Sequence, residues 1–376
     1  MKTTARTDKS ILSNWWWSID RLTLAALAVL VICGIVLVTA ASPAVAEHYG
    51  LSPFYFVHRQ ILFLIPTLAI MFGVSLMEQK TLWRTASVAL AVTLVLMVAA
   101  ILFGPQVKGA TRWISFPGGS IQPSEFSKPC FAIISAWLIA RARQKQGFPG
   151  HQLAIAAYLI ILCLLLMEPD LGMSFVLSCI WGAQMFLSGL PMLFIAGLVG
   201  LGALGLFGAY MFFPHVTSRV DRFLDPAAGD NYQVQKSLDA FSNGGLFGTG
   251  PGHGLVKLTL PDAHEDFIFA VAGEEFGMIA AVLLILLYCF IIIRSVTRIY
   301  RNEDLFVILA TTGLLVQFGL QSLVHMGSSL QLLPAKGMTL PLISYGGSSL
   351  LSFGLAMGAL LSLTRKRKST LPHDDA

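Results

Sequence analysis

The sequence predicts an all-α protein that crosses a membrane many times, and three features indicate this fold class. Hydrophobic residues make up 55% of the 376 residues and charged residues only 12%, against about 25% in ordinary soluble domains. The mean hydropathy is +0.73. Apolar runs long enough to cross a bilayer, about 20 residues, recur from Leu22 to Leu363. Because hydrocarbon offers no partners to backbone N–H and C=O groups, these runs must be helices.

We predict ten transmembrane helices within one membrane domain, residues 22–364. A basic segment (1–21) precedes this domain and a short tail (365–376) follows it. The predicted spans are 22–41, 60–77, 83–103, 126–142, 152–167, 170–189, 191–213, 267–293, 305–327 and 345–364.

The first span also has one feature of a cleaved signal peptide. The sequence Ala44-Val45-Ala46 follows a basic start and an apolar run, as a signal-peptidase site would. However, the apolar run 22–41 is longer than the roughly 7–15 residues of a signal core. We therefore expect a retained first span.

The charge distribution orients the spans and argues against a nucleic-acid partner. The net charge is +5, but the basic residues lie in short loops between spans. With both termini in the cytoplasm, sixteen of the 25 lysines and arginines fall on the inner side, as the positive-inside rule requires. This distribution predicts a multi-pass membrane protein with both termini in the cytoplasm.

The five cysteines indicate neither a disulfide framework nor a metal site. All five lie inside or beside apolar runs, without the spacing of metal ligands. We interpret them as small hydrophobic residues of the core.

A cluster of ionisable residues at one membrane boundary is the strongest candidate for chemistry. Residues 262–266 contain four ionisable side chains in five positions, and the predicted eighth span follows at once. Asp266 is the leading candidate for a catalytic carboxylate. The alternative is that Asp266 caps the N-terminus of this helix. A helix N-terminus would lower its pKa, whereas the like charge of Glu265 would raise it.

A second group of polar residues lies in the predicted outer segment 104–125 and just after it. This segment contains Lys108 and Arg112, and Pro123 marks a helix start. Glu125 and Lys128 lie three residues apart, on one face of that helix. Their role is either binding or a local ion pair with Lys128 extended toward the membrane surface.

The longest predicted connection is the extracytoplasmic loop 214–266, and loops of this length are usually functional or disordered. Within it, Val234, Leu238 and Phe241 recur at helical spacing, which predicts a short helix on the membrane surface. A glycine-rich stretch follows at 244–254. It lacks the Gly-Lys-Ser/Thr ending of a phosphate-binding loop, so we do not predict a nucleotide site there.

Two further pairs of acids allow more than one interpretation. Glu168 and Asp170 flank a proline and predict a tight outer turn, either solvated or functional. Glu274 and Glu275 lie about two turns after Asp266, inside an apolar run. Acids in such positions usually face a cavity or a partner.

Five separated motifs resemble those of the SEDS family, named for shape, elongation, division and sporulation. They are KGATRWI (108–114), QPSEFSK (122–128), PDLG (169–172), AHEDF (263–267) and ISYGGSS (343–349). The similarity extends over nearly all of residues 20–365. The segment KGMTLP (336–341) and the basic N-terminus are more similar to the division member of the family than to the elongation member.

This resemblance implies a peptidoglycan glycosyltransferase that polymerises lipid II at the outer face of the cytoplasmic membrane during cell division, at the septum. It implies a monofunctional class B penicillin-binding transpeptidase and divisome proteins as partners. The family's essential external aspartate falls on Asp266. Its other polar site residues fall on Lys108, Arg112, Glu125 and Lys128.

The implied reaction assigns chemical roles to these residues. Asp266 would act as the general base on the attacking sugar hydroxyl. Lys108, Arg112 and Lys128 would stabilise the leaving diphosphate, and a divalent cation such as Mg²⁺ is a further candidate for this role. One catalytic acid fits direct displacement with inversion better than retention, which needs a nucleophilic carboxylate.

The sequence departs from the family pattern at four positions. Glu265 stands where threonine is common, Asp262 where glutamate is common, Glu168 where glutamine is common, and Gln331 where glycine is common. The departure at Glu265 changes the electrostatic surroundings of Asp266.

Two other classes of function stay open at this point. One is a transporter that flips a lipid-linked precursor, for which Glu274 and Glu275 inside the membrane are the relevant features. The other is a non-catalytic scaffold that docks and activates the transpeptidase.

Overall fold

We describe the fold from a computed structural model of the chain. The structure describes residues 10–106, 111–116, 119–189, 192–212, 217, 221, 232–334 and 337–366.

Nearly all of the regular structure is helical. The helices are α1 (Ile11–Ser18), α2 (Arg21–His48), α3 (Tyr55–Ser75), α4 (Gln79–Phe103), α5 (Pro123–Gln144), α6 (Gly150–Met167), α7 (Leu171–Leu187), α8 (Met192–Phe212), α9 (Tyr232–Gly244), α10 (Ile268–Ile299), α11 (Leu305–Ser329) and α12 (Gly347–Leu363). A 3₁₀ helix covers Val256–Thr259. Strands β1 (Ile114–Phe116) and β2 (Gly119–Ile121) form an antiparallel hairpin that pairs Ile114 with Ile121.

The predicted class, an all-α polytopic membrane protein, is confirmed. A helix lies on each of the ten predicted spans. Within the described part of the chain, six helices are long and apolar enough to cross a membrane, namely α2, α3, α4, α6, α10 and α11. The apolar helices α7 and α12 are shorter. The total of ten spans stays a prediction.

Helix α2 extends beyond its predicted end and includes the signal-like sequence. Ala44, Val45 and Ala46 lie inside the helix and are at most 3% exposed. The retained first span stays a prediction.

Helix α5 lies at the centre of the bundle. It packs against α4, α6, α7, α11 and α12, and most of its residues from Pro123 to Ala140 are buried. Its start at Pro123, with Glu125 in the first turn, agrees with the prediction. On the other side of the bundle, α12 packs along α3.

The cysteines agree only partly with the prediction. All five are free. Cys130 is completely buried, but Cys163 and Cys289 are exposed. The predicted core role is therefore wrong for these two residues, which lie on outward-facing helix surfaces.

Helix α10 is broken at Gly277, where φ is 80° and ψ is 176°. This conformation is essentially restricted to glycine. The glycine-rich turn after α9 fills the break: Gly245 O accepts from Met278 N at 2.9 Å, and Gly250 N donates to Glu275 O at 3.0 Å. The turn thus replaces helical hydrogen bonds that the break removes.

The two acids before the break attach the outer loop to the bundle. The Glu274 carboxylate accepts from Val256 N at 2.7 Å, Lys257 N at 2.9 Å and Asn243 Nδ2 at 2.9 Å. Glu275 forms an ion pair with Lys257, whose Nζ also donates to Ala40 O in α2 at 2.9 Å. Both acids are at most 1% exposed. Their observed role is structural.

Helix α9 confirms the predicted short helix, and its location at the membrane surface stays a prediction. Phe241 is 7% exposed and lies 5.4 Å from Phe269 of α10, measured between ring centroids. Ser237 donates to Ser329 O of α11 at 2.7 Å. The helix therefore packs on the bundle itself, because its buried face carries small residues that allow close approach.

Candidate active site

A tight turn of residues 262–266 presents Asp266 at the N-terminal end of α10. Asp262 has a positive φ of 52°, and its carbonyl oxygen accepts from both Glu265 N and Asp266 N at 3.0 Å. The N-cap of α10 is Phe267, and the helix begins at Ile268. Asp266 therefore precedes the cap position, and the capping interpretation of this residue is wrong.

The segment before α12 fixes this turn in place. Tyr345 N donates to His264 O at 3.0 Å, and the Ser344 hydroxyl donates to Glu265 O at 2.7 Å. The same hydroxyl accepts from Leu340 N at 2.8 Å. Two motifs about 80 residues apart in sequence thus form one structural unit.

The Asp266 side chain is half-buried beside the backbone at Gly337. A Cβ atom added at Gly337 would lie only 3.1 Å from Asp266 Oδ2. A side chain at position 337 would crowd the carboxylate. Glycine therefore lets the backbone approach the carboxylate closely while one side of it stays accessible.

His264 is an uncharged aromatic support for the turn. Its ring lies 4.1 Å from that of Phe56 and 5.1 Å from that of Tyr345, between centroids. Burial lowers the pKa of His264 to about 4, although the Asp262 charge acts to raise it. At neutral pH the imidazole is therefore neutral and supplies packing, not charge.

Arg112 is bound to the turn between α6 and α7. It donates from Nε to Glu168 O at 2.8 Å and from Nη2 to Pro169 O at 2.5 Å. Its Nη1 also pairs with Asp170 Oδ2 at 3.1 Å. The side chain keeps 28% of its surface exposed. The guanidinium is therefore held in position yet stays open to an anionic ligand.

Lys128 is completely buried, so it is not extended toward the membrane surface. Its Nζ lies 2.8 Å from Glu125 Oε2, 2.9 Å from Gln321 Oε1 and 2.9 Å from Met173 Sδ. The predicted ion pair with Glu125 is present. A buried ammonium needs such partners, because an unpaired charge in an apolar interior is costly.

The contacts of Lys128 continue to the segment that supports Asp266. Gln321 Nε2 donates to Thr339 O at 3.3 Å, and the hydroxyls of Thr339 and Ser349 lie 2.6 Å apart. Glu125 O accepts from the Ser352 hydroxyl at 2.8 Å. The buried pair therefore positions α5 against the segment 337–349 and is not itself exposed to a ligand here.

The predicted site residues thus fall into two groups joined by the segment 337–349. Asp266 contacts its start near Gly337, and the pair Glu125–Lys128 reaches Thr339 through Gln321. Arg112 lies on the neighbouring turn. Lys108 lies outside the described residues.

Sequence reasoning missed Arg59 of α3. Its Nη1 donates to the Tyr55 hydroxyl at 3.0 Å. Nη2 lies 3.7 Å from where a Cβ of Gly119 would be, in the β-hairpin. An arginine directly before the predicted span 60–77 was the available signal.

Glu168 is a buried acid beside the Arg112 contacts. It is completely buried, and neither carboxylate oxygen is in hydrogen-bonding geometry with a described residue. Burial raises the pKa of Glu168 to about 8 and Asp170 adds to the effect, whereas Ser124 and Arg112 act in the opposite direction. At neutral pH the side chain is mainly protonated.

The described residues do not include three or more His, Cys, Asp or Glu side chains grouped to bind a metal ion. The protein's own side chains therefore do not fit a preformed Mg²⁺ site in this part of the chain, and no step below depends on one.

The fold and these motifs define a family. Residues 20–369 match the sequence profile of the cell cycle protein family named after FtsW, RodA and SpoVE. The chain belongs to this family, which is the SEDS family that its motifs predicted.

One relative indicates which type of family member the chain is most similar to. The chain is 40% identical to the probable peptidoglycan glycosyltransferase FtsW of Caulobacter vibrioides, over 96% of this chain and 93% of that protein. These values agree with the predicted division type.

Solved structures agree with the fold. One chain of a peptidoglycan synthase complex, described as coordinating polymerization and crosslinking, superposes with a TM-score of 0.77 at 26% identity, covering 93% of this chain and 98% of that one. The rod shape determining protein RodA of Thermus thermophilus superposes with a TM-score of 0.69 at 25% identity, covering 93% and 97%.

Proposed function

We propose that this protein is a peptidoglycan glycosyltransferase that polymerises lipid II during cell division. The observation that carries the proposal is the half-buried Asp266 carboxylate, held by a turn that Ser344 and Tyr345 fix from the other side. Membership of the FtsW family and the name of the Caulobacter relative support the reaction class.

Asp266 acts as the general base in this proposal. A sugar hydroxyl of one lipid II attacks the anomeric carbon of another, and the hydroxyl proton passes to the Asp266 carboxylate. The bond from the anomeric carbon to the lipid diphosphate breaks as the new glycosidic bond forms, which inverts the configuration. A base in hydrogen-bond reach typically contributes about 100-fold or more to the rate.

Arg112 and Lys108 bind the leaving diphosphate. The partly exposed guanidinium of Arg112 can bind an anion while it keeps its contacts to backbone oxygens. Cations in this position stabilise the charge that develops as the bond breaks. Lys128 and Glu125 act indirectly in this conformation: their buried ion pair supports the segment that contacts Asp266. Mg²⁺ bound by the substrate diphosphate stays a prediction.

The cellular setting follows from the same proposal. The protein lies in the cytoplasmic membrane with both termini inside and Asp266 outside, and it acts at the septum with divisome proteins. A class B penicillin-binding transpeptidase crosslinks the new strands. The likeness to a synthase complex that combines polymerization and crosslinking supports such a partner.

The experiment that tests the base compares purified wild-type protein with Asp266→Asn, using labelled lipid II and the partner transpeptidase. We expect Asp266→Asn to reduce the polymerisation rate about 100-fold or more, with the thermal unfolding midpoint nearly unchanged.

The matched control is Asp239→Asn. Asp239 lies in α9, is 56% exposed and pairs only at the surface with Lys236. This control removes the same charge and should keep the wild-type rate. A wild-type rate for Asp266→Asn, or an equal loss in both variants, would show that Asp266 is not the base.

One observation favours transport as a second candidate. Transporters often bind substrate at broken helices, and α10 is broken at Gly277. However, the glycine-rich turn occupies the break, and Glu274 and Glu275 are bound to the loop. Translocation of labelled lipid II across liposomes without polymer formation would favour transport.

A further inference from the structure

The opposite end of α10 carries a basic cavity that the polymerisation chemistry does not use. The cavity has a volume of about 350 Å³. Its lining residues are Trp17, Ile19, Asp20, Arg21, Leu22, Arg294, Arg298 and Lys366. Three parts of the chain meet there: the start of α2, the end of α10 and the segment after α12.

The lining has an excess of positive charge that its own acid does not neutralise. Four basic side chains stand against one carboxylate, Asp20. That carboxylate is 2% exposed and already accepts from Thr23, Arg294 and Arg298. The positive charge of Arg21 and Lys366 therefore has no carboxylate in the lining left to balance it, and the cavity suits an anion.

Aromatic and apolar surfaces border the cationic lining. The Arg21 guanidinium lies 4.6 Å from the ring centroid of Trp17 and 4.9 Å from that of Trp16. Trp17 is 45% exposed and Leu22 is 54% exposed. Exposed tryptophans beside a span are typical of the headgroup level of a bilayer. An occupant here would meet cations at one end and hydrocarbon at the other.

We propose that this cavity binds the phosphate headgroup of an anionic phospholipid. Arg21 and Lys366 contact the phosphate, Arg294 and Arg298 supply further positive charge, and the acyl chains follow the exposed surface at Leu22. Basic pockets between helices near the membrane surface suit such headgroups. Free inorganic phosphate has the same negative charge as the headgroup, but it has no acyl chains to contact the apolar border of the cavity.

The opposing explanation is that these residues only set topology, as basic residues do in any inner loop. It predicts that every basic residue on this side of the membrane contributes alike. The two explanations are separated by variants inside and outside the cavity.

The experiment measures lipid binding to the delipidated full-length chain by native mass spectrometry. Phosphatidylglycerol is the anionic probe, and phosphatidylcholine and inorganic phosphate are the comparison ligands. The test variant is Arg21→Gln with Lys366→Gln. The control variant is Arg84→Gln with Arg301→Gln, which removes two charges outside the cavity; Arg84 also lies over a tryptophan, Trp83, at 5.5 Å.

We expect wild-type protein to bind phosphatidylglycerol more tightly than phosphatidylcholine, with inorganic phosphate as a poor competitor. Each basic residue near a membrane surface contributes about fivefold, so the test variant should lose about 20-fold or more of its affinity. The control should change less than about twofold.

Three results would overturn the proposal: equal loss in the test and control variants, equal binding of phosphatidylcholine, or efficient displacement by inorganic phosphate. If the double variant does not fold, Lys366→Gln alone serves, because it keeps the backbone N–H that donates to Ser18 O. It should lose about fivefold in affinity, and an unchanged affinity would overturn the proposed phosphate contact.

Discussion

The parts of α10 before and after Gly277 are both built mainly from apolar residues but have very different surroundings. Before Gly277, residues Ile268–Glu275 are buried on all sides by α9, the glycine-rich turn and the rest of the bundle. After Gly277, the helix has an outward face. That face includes Met278, Ile279, Val282, Leu283, Leu286, Phe290, Ile293 and Val296, each more than 40% exposed. Hydrophobic sequence alone therefore does not distinguish a helix enclosed in protein from one that faces lipid.

The acids at the two ends of α10 also differ in their surroundings. At the N-terminal end of α10, Asp266 is half-buried, and backbone contacts fix its turn. At the C-terminal end of α10, Asp20 is buried and bound by two arginines of that helix. Burial acts to raise the pKa of Asp20, but hydrogen bonds from Arg294, Arg298 and Thr23 outweigh it and lower the pKa. One acid is arranged to stay accessible, the other to anchor a helix.

The largest effect on this contrast should come from Gly277→Ala. A Cβ at Gly277 would lie 2.4 Å from Gly248 N and from Leu246 O, and alanine strongly disfavours this backbone conformation. We expect a loss of about 3 kcal/mol or more in the free energy of unfolding, together with loss of polymerisation. Thermal unfolding followed by size-exclusion chromatography measures it.

Gly182→Ala is the control for that substitution. Gly182 lies in α7, and a Cβ there would meet nothing within 4 Å. Alanine at this position should leave stability unchanged or raise it by about 0.5 kcal/mol, since glycine weakens a helix interior. If both alanine variants were as stable as the wild type, α10 could form a continuous helix at position 277. The two parts of the helix would then not need different surroundings.

A middle-sized effect is expected from Asp20→Asn at the C-terminal end of α10. The variant loses the charge that Arg294 and Arg298 share, which should cost about 1–3 kcal/mol. The arginines are 31% and 20% exposed, so water replaces part of the contact. The folded fraction should still polymerise lipid II at the wild-type rate. A fall in rate without a fall in stability would contradict the anchoring role.

The pH dependence of Asp20→Asn sharpens this prediction. Because the folded pKa of Asp20 is lowered, its stabilisation is present above the ordinary Asp pKa of about 4 and is lost on acidification. The gap between wild type and variant should therefore be constant near neutral pH and shrink below about pH 4. Glu303→Gln, at an exposed position on the same side, is the control.

An effect that grows with pH concerns Glu168→Gln in the turn between α6 and α7. The pKa of Glu168 is raised to about 8, so the folded state holds a proton that the unfolded state releases near pH 4.5. Stability of the wild type therefore falls as pH rises between these values. The glutamine variant lacks this dependence and should unfold at least about 2 °C above wild type at pH 8.5, with a smaller gap at pH 6. A gap that stays constant would contradict burial of an ionisable carboxyl here.

Much of the fold could be predicted because helix starts and apolar runs are local signals. Pro123 marked the start of α5, and Val234, Leu238 and Phe241 marked α9. The break at Gly277 could not be predicted. It depends on a turn about 30 residues earlier that supplies hydrogen bonds, and one glycine in an apolar run does not reveal such a partner.

The candidate site was predictable in composition but not in arrangement. The acid cluster located Asp266, whereas its contact with Gly337 depends on packing between distant segments. Sequence spacing predicted the pair Glu125–Lys128, but the burial of Lys128 depends on Gln321 and Met173 from other helices. Likewise, Glu274 looked like an intramembrane acid because its donors at Val256 and Lys257 lie in the outer loop.

The glycine-rich turn imposes a length constraint on the outer loop. Gly245 O and Leu246 O accept from Met278 N and Ile279 N, while Thr249 N and Gly250 N donate to Glu274 O and Glu275 O. These four contacts form two pairs, one on each side of the break at Gly277. One residue inserted or deleted between 246 and 249 would shift one pair relative to the other. The number of residues in the glycine-rich turn must therefore match the spacing of its partners along α10. A change in that number would also affect the position of Asp266 at the start of this helix.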